Sequence, residues 1–219
     1  MKNQYKIIYR YSLLLVALFI MALGVSLSIK ANLGTSPISC IPYVLSLGLT
    51  QLTVGEWTII FNILLIIGQI LILQKDFEKK QLLQSLVVIA FGYFTDLNLW
   101  IINGINPTNY INQWILCIIS CFVLAFGIFI EIKTETLVLP GEGFILAISK
   151  RFKKEFSKIK PISDSTMVII GAILSIYFLG QLVGVREGTI FSAIILGFII
   201  QFYNRTIESQ VNKIFSKIK

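Results

Sequence analysis

The feature that most constrains this chain is a set of long runs with almost no charge, several of them 18 residues or more. A helix needs about 20 consecutive apolar residues to cross the hydrocarbon layer of a bilayer. A buried helix of a soluble protein is usually shorter. Of the 219 residues, 56% are hydrophobic and 14% charged, whereas a soluble domain carries about 25% charge. A core of ordinary size cannot hide that much apolar surface, so lipid must cover the rest. The expected fold class is all-α: a polytopic transmembrane helical bundle in the cell membrane.

The spans predicted from hydropathy are about 11–29, 54–73, 82–102, 113–132, 166–185 and 189–203. Lys2, Lys6 and Arg10 precede the first span, but no small-residue cleavage site follows it, so it reads as a retained helix rather than a leader. Two shorter apolar segments, about 37–50 and 140–149, each begin at a proline. Ser36 before Pro37 is a good start signal, because proline at the first helical position lacks only an N–H that would be unpaired anyway. Pro42 is expected to kink or shorten that helix. Asp164 is expected to cap the fifth span.

The positive charges decide the topology. Sixteen of the nineteen Lys and Arg fall in four segments, 1–10, 74–81, 150–160 and 203–219. Positively charged loops stay in the cytoplasm, which places all four there, with both termini inside. The uncharged loop 104–112 then lies outside, and Trp57, Trp100 and Trp114 fall near the outer interface. Under that assignment neither short segment crosses completely. The reading is six spans plus two short re-entrant half-helices, one entering from each side. The alternative of eight spans would expose Lys75, Lys79 and Lys80 outside.

The two halves resemble each other at an offset of 103 residues: Phe19 with Phe122, Ala22 with Ala125, Gly24 with Gly127, Ile29-Lys30 with Ile132-Lys133, Pro37 with Pro140, and Ser46 with Ser149. Three spans is an odd number, so the repeats face opposite ways across the membrane. The expected organisation is a first repeat over 1–110, an inverted second repeat over 111–205 and a cytoplasmic tail over 206–219. Inverted repeats with broken helices recur among secondary transporters.

The run Gly24-Val-Ser-Leu-Ser-Ile-Lys30-Ala-Asn-Leu-Gly-Thr-Ser-Pro37 resembles the N-terminal motif of YczE/YyaS/YitT-type bacterial membrane proteins, the YczE-like branch in particular. The stretches Phe91-Gly92-Tyr93-Phe94-Thr95-Asp96 and Val183-Gly184-Val185-Arg186-Glu187-Gly188-Thr189 fit as well. After the fourth span this chain departs from the pattern, with Glu131, Lys133 and Glu135 in place of a Gly-rich counterpart. The resemblance implies a transporter-like protein.

Ionisable groups at membrane depth are costly and usually face a cavity or a partner. On that ground, and from the half-helix start for Asn32 and Ser36, the candidate substrate-binding residues are Lys30, Asn32, Ser36, Asp96, Glu131, Lys133, Glu135 and Glu142. For Lys30 and Lys133 the alternative is a span end whose amine snorkels to the interface; for Asp96 it is a hydrogen bond to a neighbouring helix. No histidine is present, and Cys40, Cys117 and Cys121 sit in apolar runs, which removes most zinc, haem and His-based catalytic schemes. No metal or cofactor is expected, and with no nucleophile–base set an enzyme is disfavoured. The formal charge of +8 is read as cytoplasmic loops beside anionic lipid, not as a nucleic-acid surface. The expected function is a small secondary transporter for a small molecule or ion, its site near the half-helix starts and its ligand anionic or zwitterionic. The rival is an accessory or assembly protein that transports nothing. A chain this small leaves room for a homodimer.

Overall fold

The computed structural model describes residues 2–207, with side chains from Ile7 onward. The lysines of the tail, Lys213, Lys217 and Lys219, lie outside the described residues. Eight α-helices account for most of that range: α1 Lys2–Ala31, α2 Pro37–Gly48, α3 Val54–Leu73, α4 Gln84–Ile101, α5 Tyr110–Thr134, α6 Pro140–Phe152, α7 Phe156–Leu179 and α8 Glu187–Thr206. Six of them are long and apolar enough to span a bilayer; α2 and α6, of 12 and 13 residues, are the short pair. Side chains such as Leu71, Trp100, Tyr177 and Phe198 stand on the outside of the bundle. Apolar surface on this scale belongs against lipid, and the chain is an integral membrane protein.

The central contact is between α1 and α5. A β-carbon at Gly24 would lie 2.6 Å from the Leu124 backbone nitrogen, and one at Gly127 would lie 2.8 Å from that of Met21. The two helices are therefore antiparallel and approach backbone to backbone. Small residues permit this in a membrane, where packing rather than water exclusion drives association. Leu14, Leu18, Met21, Val25, Val87, Phe91 and Leu124 fill the core around that crossing. Beyond it, α4 lies against α1 and α8 against α5, while α3 packs on α4. The short helix α2 lies against α7 and α3, and α6 lies against α3 and α7.

Ion pairs and hydrogen bonds define the two ends of the bundle. At one end Arg10 of α1 bridges to Glu135, just past α5, at 3.2 Å, and Lys150 reaches the Asp76 carbonyl beyond α3. At the other, Lys30 Nζ donates to the Asn103 carbonyl at 3.2 Å, past the end of α4.

The predicted spans agree with the helices except for the first, whose helix α1 begins nine residues earlier at Lys2, and the fifth. That span was expected over 166–185, but α7 runs from Phe156 to Leu179. Hydropathy starts the span where charge stops, whereas the helix continues outward through Lys158, Lys160 and Pro161. Asp164 is therefore no cap. It lies inside α7 and pairs with Lys160 one turn earlier at 3.2 Å. At the other end Gly180, with φ of 67°, stops the helix, although Leu182, Val183 and Val185 extend the apolar run. Ser36 does sit at the helix start, but its hydroxyl donates to Ser39 Oγ at 3.0 Å rather than receiving a backbone N–H. Pro42 lies within α2, which continues past it to Gly48.

Candidate functional site

Buried backbone must find its hydrogen bonds within the protein, so the breaks before α2 and α6 show what the chain has built there. Before α2, Asn32 turns into the left-handed region (φ 57°) and ends α1. The backbone of segment 32–36 then pairs with the connection from α7 into α8. Thr35 N donates to the Gly184 carbonyl at 3.0 Å, Gly188 N to that of Leu33 at 2.7 Å, and Arg186 Nη1 to that of Asn32 at 2.9 Å. Gly34 has φ of 96° and lies so close to Arg186 and Thr189 that no side chain fits.

Before α6 the turn repeats, with Glu135 left-handed at φ 50°, but different groups satisfy it. Leu139 N donates to Glu131 Oε1 at 2.9 Å. Gln69 of α3 donates through Nε2 to the Pro140 carbonyl and to Gln84 Oε1 of α4, both at 3.2 Å. Gly143 lies flat on these two amides, about 3 Å from each at the position its β-carbon would take. Glu142, in the first turn of α6, is half-buried. It interacts electrostatically with Glu131 and with Lys160 and Asp164 of α7.

The two breaks meet. A β-carbon at Gly141, the second residue of α6, would collide with the side chain of Ile38, the second residue of α2. The starts of the two short helices thus adjoin inside the bundle.

The predicted site residues divide by position. Ser36, buried, belongs to this meeting point through α2, and Glu131 and Glu142 through α6. Lys30 and exposed Asn32 lie at the Lys30 end. Exposed Glu135 lies at the Arg10 end, and Lys133 extends over the Phe129 ring, 5.7 Å from its centroid. Asp96 holds the start of α3, accepting Thr53 Oγ1 at 2.6 Å and Gly55 N at 2.8 Å. Sequence reasoning missed Gln69 and Gln84. Their signal was present, since an amide at the centre of a run such as Ile66-Ile67-Gly68-Gln69-Ile70 has no reason to be there without a polar partner. Cys117 and Cys121 are buried free thiols packed among Ala31, Leu33, Ala125 and Ile199, as small apolar residues. At the Arg10 end, Tyr11, Leu14, Leu18, Leu83, Val87 and Leu137 line an apolar cavity of about 280 Å³.

Residues 8–205 match the model of a protein family described as a family of unknown function, DUF6198. The chain belongs to that family. Among curated relatives of this DUF6198 protein, the uncharacterized protein YyaS of Bacillus subtilis is 26% identical over 198 residues, covering 88% of this chain and 91% of its own. An uncharacterized protein of Haemophilus influenzae is 26% identical, with 91% and 84% covered. The uncharacterized membrane protein YczE of Bacillus subtilis is 25% identical, with 90% and 86% covered. The resemblance read from Gly24–Pro37 and the two later stretches is thereby shown to be a family relationship. No solved structure matches.

Proposed function

We propose that this DUF6198 protein is a small secondary transporter of the cytoplasmic membrane, a carrier and not an enzyme, built from inverted repeats over 1–110 and 111–205. The observation that carries the reading is the register of the helices. The starts of α2 and α6, Pro37 and Pro140, are 103 residues apart, as are those of α4 and α8, Gln84 and Glu187. The two longest candidate spans, Ile7–Ala31 and Tyr110–Thr134, are offset by the same amount. The contacts obey this offset too. Gly24 against Leu124 and Gly127 against Met21 are one contact made twice with the partners exchanged. Gly68 of α3 against Phe144 and Gly171 of α7 against Cys40 repeat the exchange between the short helices and their neighbours to within one residue. Such reciprocity is what a two-fold axis lying in the membrane plane produces, and transporters with this symmetry bind their substrates at the repeat interface.

In this reading α2 and α6 are re-entrant half-helices, and the Arg10 end faces the cytoplasm because the basic segments gather there. The substrate lies between the half-helix starts at Ser36-Pro37 and Pro140-Gly141. Backbone N–H groups and the positive end of each helix dipole favour an anionic or zwitterionic small molecule there. Lipid is the surrounding partner, and a homodimer is compatible with the chain's size.

Purified protein in liposomes should take up a labelled substrate drawn from a panel of organic anions and zwitterions, under an imposed ion gradient. A ligand that activates uptake should also protect Ser36→Cys from a small thiol reagent. If no member of a broad panel is taken up, and Ser36→Cys is labelled by bulky impermeant reagents whatever is added, the carrier reading falls. A non-transporting accessory role then takes its place.

A further inference from the structure

We propose that Glu131 is a proton-carrying carboxyl, loaded from the Arg10 end through Asp164 and Glu142. Glu131 is 1% exposed on the last turn of α5. One of its oxygens accepts the Leu139 N–H, and the other, Oε2, has no partner. Among the described residues no lysine or arginine pairs with it. The same neighbourhood leaves a second acceptor unpaired, Gln69 Oε1, on a side chain that is fully buried. Both unsatisfied atoms are acceptors, so what is missing is a donor. A proton on Oε2 supplies one, because a protonated carboxyl has an O–H to give, and it removes a charge that burial makes costly.

The surroundings supply a route. Glu142 of α6 interacts electrostatically with Glu131 and with Asp164 and Lys160 of α7. The Lys160–Asp164 pair reaches solvent, with 44% and 17% of the side chains exposed. Chains of acidic groups running inward from a solvated pair are the form that membrane proton relays take. Three further titratable groups, on α1, α5 and α8, are engaged elsewhere. Arg10 of α1 is held by Glu135, Lys133 lies over Phe129, and the Tyr203 hydroxyl of α8 donates to the Phe122 carbonyl. α3 and α4 contribute the neutral amides of Gln69 and Gln84. Any coupling of this proton to substrate movement rests on the transport reading; proton binding itself does not.

The test therefore follows the proton alone. Infrared difference spectra of the purified protein should be recorded during a pH titration in sodium-free buffer. The wild type should show a protonated-carboxyl stretch from a site shielded from water, and raising the pH should bleach it. Glu131→Gln should lose that band, because glutamine keeps the acceptor for Leu139 N–H and carries no titratable proton. Glu135→Gln, altered at an exposed carboxylate, should retain it. Glu142→Gln should retain it with slower hydrogen–deuterium exchange. Absence of the band in folded wild type, or its survival in Glu131→Gln, overturns the proposal. So does bleaching by sodium chloride but not choline chloride at constant pH, which would assign the site to a metal cation. If Glu131→Gln does not fold, Glu142→Gln and Asp164→Asn decide: loss of the band in either places the proton elsewhere.

Discussion

Asp96 shows how a membrane-embedded acid can look functional in sequence and be occupied in structure. Its carboxylate receives Thr53 Oγ1 and Gly55 N, while Thr53 and Glu56 complete a capping box at the same helix start. A hydrogen bond to a charged acceptor contributes about 1.5–3 kcal/mol. Asp96→Asn keeps the shape but removes the charge, so it should lower stability by about 1–2 kcal/mol, read as an earlier thermal unfolding transition in detergent. Glu131 was legible as a candidate because a lone acid in Phe129-Ile130-Glu131-Ile132 stands out. What its oxygens touch was not legible, since the Leu139 N–H reaches it only through tertiary folding. Glu135 looked equivalent in sequence, yet its left-handed backbone turns it outward to Arg10.

At the scale of the helices, apolar length and breaker residues carried most of the information. Val54 and Leu73 were expected as the ends of the second span and are the ends of α3. Pro37 and Pro140 mark the short helices because proline is tolerated only in a first turn or at a kink. The start of α7 was not legible, because hydropathy measures what lipid tolerates, and a helix can continue into water beyond that limit. The α1–α5 crossing offers a test of packing. Gly24→Ala or Gly127→Ala forces a methyl group into the opposite backbone and should cost about 1–3 kcal/mol. The two sites belong to one crossing, so the double variant should lose less than the sum of the singles once the helices have moved apart. Thermal unfolding of the four proteins measures both effects.

Across the whole molecule the two ends differ. At the Lys30 end, Trp114, Cys117, Ala31, Leu33 and Phe191 pack together beneath the hydrogen bonds that join Leu33 and Thr35 to the Gly184–Gly188 loop. At the Arg10 end the positions 103 residues removed from Trp114, Cys117 and Gly34, namely Tyr11, Leu14 and Leu137, border the 280 Å³ cavity instead. Orientation is testable directly. A reporter fused at Asn109 should read outside, and reporters at Lys79 and Lys154 should read inside. An outside signal at Lys79 would convert α2 into a complete span and remove the symmetry argument with it.

The contact of Ile38 with Gly141 carries one more consequence. These positions are 103 residues apart, so in the proposed inverted-repeat reading each is the other's counterpart and the contact lies where the two halves coincide. A protein assembled from two identical half-length chains would have to place the same residue on both sides of that point. Two isoleucines would collide there, and two glycines would leave a void. Joining the halves in one polypeptide lifts that restriction and lets a large residue face none. It follows that neither half, expressed alone and allowed to pair with itself, can rebuild this junction, whereas the two halves co-expressed as separate fragments can.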